Sequence, residues 1–186
     1  MLTKEEFNKG LEKITLLWAQ RNFELAFEQV EIILRDGTEV MRAEAKFFAG
    51  LMKQDQGLIA HARENWLDAL PLAEEGTFLL YLLEHNIGAS YEQEGSDDEA
   101  LVWYRSALRT CAQGDRFSDD QTLTAFLALN KGEIPTKDED VVAIGVKKSW
   151  ETLGLQGNPD LSDLPGAISK LAKGYAELEV ETMGED

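Results

Sequence analysis

GLMKQDQGLIAHARENWLDAL, residues 50–70, and GASYEQEGSDDEALVWYRSAL, residues 88–108, superimpose without a gap. Gly50, Gly57, Ala62, Trp66, Ala69 and Leu70 of the first align with Gly88, Gly95, Ala100, Tyr104, Ala107 and Leu108 of the second, each shifted by 38 residues. Self-similarity at such a period marks stacked supersecondary units. The residue types have a physical purpose. A small residue in each of two helices lets them cross closely, and a glycine between them supplies the turn. An aromatic then fills the gap between one hairpin and the next, and the later alanine admits the following helix.

Outward from this pair, almost every segment carries apolar residues three and four apart, the helical period, and strict alternation is rare. Phe7, Leu11, Ile14 and Trp18 form one stripe within a helix from Lys4 to Gln20. Asn22 is placed to cap a second helix that Gly37 ends, Thr38 a third, and Thr77 a fifth that runs to Gly95. A fourth covers about Leu58 to Ala69, with Pro71 near its end. Ser96 with Glu99 and Thr136 with Glu139 have capping-box spacing, predicting helix starts at both. Ser118, Asp119 and Asp120 open a seventh helix after one ending near Gly114. Val142, Val146, Trp150 and Leu153 align in an eighth; a Gly/Pro-rich loop from Gly154 to Pro159 follows. The last helix, about Ser162 to Thr182, aligns Leu164, Ile168, Leu171, Tyr175 and Leu178, and Pro165 suits its first turn. About nine helices in antiparallel hairpins make an all-α fold.

The repeat resembles the tetratricopeptide family, helix-turn-helix units that stack into a right-handed superhelix. From Tyr81 to Gly114 the chain has Ile87, Gly88, Tyr91, Ala100, Tyr104 and Ala107 where the family pattern has Leu, Gly, Tyr, Ala, Phe and Ala. Glu84 and Ala112 replace the family's leading Trp and trailing Pro. From Ala43 to Gly76 it keeps Gly50, Ala62, Trp66 and Ala69, with Lys53 where an aromatic is usual. A degenerate unit from Phe7 gives Leu17, Ala26, Val30 and Ile33, with Ile14 in the glycine position. Unit starts at 7, 43 and 81 are spaced somewhat more widely than the family's period of about 34 residues. The resemblance implies a repeat region over residues 1–114, strongest over 43–114. Residues 115–186 then supply helices that cap the stack within the same compact domain. An unrelated helical bundle is the alternative architecture.

The 186 residues hold 35 acidic and 18 basic side chains, a formal net charge of −17. This argues against non-specific nucleic-acid binding and against docking on anionic lipid. The longest apolar runs, such as Phe78 to Leu83, fall far short of a membrane span. No basic-then-apolar leader pattern opens the chain, and Cys111 is the only cysteine. A cytoplasmic protein is therefore expected.

Chemistry-bearing patterns are sparse. His61 and His85 are the only histidines, and neither has partners at a zinc spacing, so no metal or cofactor is expected. Cys111 lies near a helix C-terminus, where the dipole does not favour a thiolate, and reads as a buried structural residue. The acidic runs 97–99 and 138–140 read as helix-starting residues. Asp115, Asp119 and Asp120 lack the ligand spacing of a calcium loop. Phosphate loops and assignable nucleophile triads are missing, so no catalytic residue is nominated. Trp66 is expected to pack between hairpins, whereas Trp18 and Trp103 suit either core or groove.

In tetratricopeptide proteins the first helix of each unit lines a concave groove that holds a peptide. The resemblance carries that role to Leu11, Thr15 and Trp18, then Phe47, Leu51 and Gln54, then Leu82, His85, Asn86, Ala89 and Gln93. Glu44, Asp55 and Glu92 fall near the rim. For His85 an edge position is the equal alternative. Only Asn86 stands where some members carry a basic clamp for a C-terminal carboxylate, which leaves that role without its cations. The expected function is a protein-interaction module (adaptor, scaffold or secretion-type chaperone) whose partner presents a peptide or an apolar or basic segment. An open terminal face also leaves homodimerisation open. The alternative is an acidic inhibitor or immunity-type protein. Charge divides as −9 over residues 1–114 and −8 over 115–186, an even spread that fits solubility better than one mimicry face.

Overall fold

The computed structural model describes the backbone of residues 1–113 and 120–183 and the side chains of 1–111 and 121–174. Among these residues it is all-helical, with nine α-helices, two short 3-10 segments and no strand. The helices are α1 (Lys4–Ala19), α2 (Phe23–Asp36), α3 (Glu39–Asp55), α4 (Ile59–Ala69), α5 (Phe78–Gln93), α6 (Asp97–Gln113), α7 (Asp120–Leu129), α8 (Glu139–Thr152) and α9 (Leu164–Met183). The expectations placed on Gly114, Asp115, Ser118 and Asp119, and on the side chains of Ala112, Asp120, Tyr175 and Leu178, lie outside the described residues. Chain contacts group Met1–Ala100 into one compact unit and Leu101–Asp186 into another. The division falls inside α6.

Within the first unit, capping follows side-chain chemistry. Asn22, Thr38 and Thr77 each accept a bond from a backbone N–H three residues on, at 3.3–3.4 Å. Thr3 and Glu6 close a capping box on α1 that the sequence reading passes over: the Glu6 N–H donates to Thr3 Oγ1, and the Thr3 N–H donates to Glu6 Oε2.

The turn between paired helices recurs in one geometry. Gly57, at φ +75°, donates to the Gln54 carbonyl, and Leu58 donates to Lys53. Gly95, also at φ +75°, donates to Glu92, and Ser96 donates to Tyr91. These bonds satisfy last-turn carbonyls and need a left-handed residue, which glycine adopts without steric cost. Arg21 makes the same turn at φ 58°, donating to Trp18 while Asn22 donates to Leu17. The three left-handed residues are spaced by 36 and 38, the intervals between the sequence units. Helix resumes at once in each case, with Ala26, Ala62 and Ala100 donating to Asn22, Leu58 and Ser96.

Phe7, Ile14, Leu17, Ala26, Val30, Ile33, Ala45, Ala49 and Met52 form the buried core of α1, α2 and α3. Next to it, Gly50 admits the fully buried Trp66: a Cβ at Gly50 would overlap the indole, whose Nε1 donates to the Phe47 carbonyl at 3.2 Å. The indole therefore fills the crossing of α3 and α4 inside its own hairpin, whereas the sequence reading expects Trp66 between one hairpin and the next. Lys46 pairs with Asp68 across the same hairpin. Arg63 ties α4 to the end of α5, bonding Glu94 at 2.6 Å with its guanidinium 4.2 Å from the Tyr91 ring centroid.

The second unit is assembled differently. Lys131, at φ 57°, ends α7 with the same pair of turn bonds, 36 residues after Gly95. No helix resumes there, because Pro135 disfavours helical geometry at Ile134. Thr136–Asp138 forms a 3-10 turn and α8 starts at Glu139. The capping box expected at Thr136 and Glu139 is thus not formed. Asp138 occupies the cap position, but its buried carboxylate accepts from Arg105 Nε and Nη2 at 2.5 and 2.8 Å. Arg105 holds the Asp138 carboxyl below its usual value, chiefly through these hydrogen bonds. Trp150 anchors the Gly/Pro-rich loop by donating to the Gly157 carbonyl. Asp163 caps α9, accepting from the Gly166 N–H. Cys111 is fully buried.

Candidate partner-binding face

Helical geometry places the nominated residues on one stripe of each first helix. On α3 that stripe contains Glu44, Phe47, Phe48, Leu51 and Asp55, at spacings of three, four and seven. Its cations, Arg42, Lys46 and Lys53, fall on the opposite side. Lys46 meets Asp68 of α4, and Lys53 sits 4.5 Å from the Phe27 ring centroid of α2.

The structure brings α1 and α3 together at their C-terminal ends. Trp18 Nε1 and Arg21 Nη1 both donate to Asp55 Oδ2, at 3.1 and 3.2 Å. Thr15, Trp18, Ala19, Arg21 and Asp55 line a shallow, open depression of about 420 Å³ there. Leu11 and Trp18 are half-buried and pack on the first core, as does Phe48. Leu51 and Gln54 are half-buried. Phe47 is only 8% exposed, with its ring edge-on to Phe48 at 6.0 Å. It therefore lies under the face and offers little surface to a ligand.

On α5, Leu82, Asn86, Ala89 and Gln93 fall on one stripe, the first three half-buried and Gln93 exposed. Asn86 donates its amide to the Leu82 carbonyl at 2.7 Å. His85 is half-buried, its ring stacked on Tyr81 at 6.2 Å. Tyr81 stacks in turn on Phe78, which is 51% exposed.

Of the acidic residues expected at the rim, Asp55 is engaged by Trp18 and Arg21, and Glu92 is half-buried. Glu44 is unlike Asp55. It is half-buried, makes no hydrogen bond or ion pair with any described residue, and its carboxyl is held above its ordinary value by burial. Sequence spacing placed Glu44 near the rim but carried no sign that it would be partly desolvated and unpaired. Arg21 as a turn residue and Asp55 as its anchor were missed too. The only signal available was the unit interval, since Arg21 stands 36 residues before Gly57.

Among the described residues no group of three or more His, Cys, Asp or Glu side chains is placed to hold a metal ion, and no helix is long and apolar enough to cross a membrane. Comparison with protein-family models, with curated proteins and with solved structures finds no match for this chain.

Proposed function

We propose that this chain is a tetratricopeptide-like interaction module, a cytoplasmic adaptor, scaffold or chaperone that holds a partner polypeptide on the stripe formed by α1, α3 and α5. It performs no catalysis of its own. The observation that carries the proposal is the helix-ending turn at Arg21, Gly57 and Gly95, recurring at the intervals of the sequence units. A chain that repeats one hairpin presents its first helices in series, and the partly covered apolar side chains on them suit a bound polypeptide.

Leu51→Glu and His85→Ala test the proposal, because both side chains are half-buried on the stripe. Phe47→Ala is less informative, since it removes a buried ring and reports on stability. Affinity capture from the native source, read by mass spectrometry, compares wild type with each variant. The expected result is one partner lost by at least tenfold with Leu51→Glu while the helical circular-dichroism signal is unchanged. Equal recovery of every partner by wild type and both variants overturns the proposal.

A further inference from the structure

Glu44 sits on α3 with Phe47 and Phe48 one turn ahead and Val40 one turn behind. Val40 is 43% exposed, Phe48 half-buried and Phe47 buried. The carboxylate has thus lost part of its water to apolar neighbours without gaining a hydrogen-bond donor or a cation among the described residues. A partly desolvated charge in that position favours any ligand that brings a donor and an opposite charge.

Among the described residues, no cation of α1, α3 or α5 pairs with Glu44. The three cations of α3 lie on its other side, and α5 contains no lysine or arginine. Of the three lysines of α1, Lys9 is paired with Glu5 at 2.7 Å, Lys13 falls on the side of the helix away from Leu11 and Trp18, and Lys4, although in phase with Leu11, forms no ion pair with Glu44. Arg21 is engaged with Asp55. The surface beside Glu44 is therefore apolar with one unanswered negative charge.

We propose that Glu44 is the seat for a lysine or arginine side chain of the partner polypeptide, flanked in that partner by apolar residues that lie against Leu51 and Phe48. This deepens the partner-binding proposal and rests on it. The cation restores the interaction that Glu44 lost with water, and its aliphatic stem covers apolar surface next to the carboxylate. Selectivity for a basic over a neutral segment then resides in one residue, and the −17 net charge adds only a diffuse, salt-sensitive attraction.

The test uses the full chain and two dye-labelled probes: a short peptide with a central lysine between leucines and serines, and the same peptide with glutamine in place of the lysine. Fluorescence anisotropy at near-physiological salt reads both affinities. Wild type is expected to prefer the lysine peptide by about fivefold, Glu44→Gln to bind both peptides equally, and Glu31→Gln, on the exposed surface of α2, to keep the preference. Glutamine is nearly isosteric, and Glu44 has no hydrogen-bond or ion-pair partner among the described residues to lose, so the variant is expected to fold. Equal binding of both peptides by wild type overturns the seat while leaving the face as a peptide site. A preference that survives Glu44→Gln overturns the seat and assigns selectivity to diffuse charge. If neither peptide binds, whether or not sedimentation shows a second copy of the chain covering the face, both proposals fall.

Discussion

In residues 1–100 a helix ends three times in the same way, at Arg21, Gly57 and Gly95, and helix resumes at once each time. In residues 101–186 the same ending occurs at Lys131, but Pro135 delays the next helix and a 3-10 turn intervenes. What holds the second arrangement is a contact made once: Arg105 reaches Asp138, 33 residues away, and the carboxylate is almost fully buried. The first region is specified by small residues and turns at fixed intervals, so each element repeats its neighbour's solution. The second depends on an individual polar anchor. One fold class thus accommodates two ways of specifying where helices meet, and they should fail differently when broken.

The largest effect is expected at the anchor. Arg105→Met leaves a buried carboxylate without its partner and should cost about 3–5 kcal/mol in urea unfolding. Adding Asp138→Leu should recover most of that loss. If the single variant is within about 0.5 kcal/mol of wild type, the second region does not rest on this pair.

Gly50→Ala comes next, in the first region. On an exposed helix this change is favourable by about 1 kcal/mol. Here the added methyl overlaps the Trp66 indole, and a net loss of about 2 kcal/mol is expected, recoverable by pairing it with Trp66→Leu. A neutral result would mean that the α3–α4 crossing does not depend on this close approach.

The turns give a smaller, signed pair of effects. Gly57→Ala should destabilise by about 1 kcal/mol, because alanine is strained at φ +75°. Lys131→Gly should stabilise by a similar amount, relieving the strain of a lysine at φ 57°. Opposite signs at geometrically equivalent positions would establish that one turn operates in both regions.

The smallest effect separates two carboxylates by pH. The Asp138 carboxyl is depressed below 3.8 by Arg105, so its contribution to stability is present above that value and lost as pH falls through its lower folded value. The Glu44 carboxyl is raised above 4.5 by burial, so the folded chain binds its proton more readily than the unfolded chain. Stability from this group is greatest when it is protonated and falls as pH rises through its folded value. Glu44→Gln should therefore be slightly more stable than wild type at neutral pH, by a few tenths of a kcal/mol at about this degree of exposure, and indistinguishable from it once the pH is below about 4.5. Thermal unfolding of the two proteins across that range reads the difference.

The same contrast explains what the sequence could reveal. Gly57 and Gly95 are legible because a left-handed turn selects glycine, and their common interval exposed the repeat. Arg21 and Lys131 perform the same task with side chains that carry no such mark. Asp138 looked like part of a cap because its neighbours Thr136 and Glu139 have capping-box spacing. The structure gives it to Arg105, a partner that no local pattern could supply. In the candidate face, helical phase groups Leu51 with Phe47, but phase does not say where coverage begins. Phe47 lies on the side of the stripe turned toward α4, where its carbonyl receives the Trp66 indole, and it is buried. Repeat register set Glu44 near the rim, and only the packing of α3 shows that it is half-buried and without a partner among the described residues.

The stripe on the first helices is proposed to hold a partner polypeptide. Site-specific photo-crosslinking in the native source tests it most directly, with the reactive side chain placed at Leu51 on the stripe or at Ile32 on the outer surface of α2. One discrete crosslinked polypeptide is expected from Leu51 and none from Ile32. A partner captured from Ile32 and absent from Leu51 would contradict it.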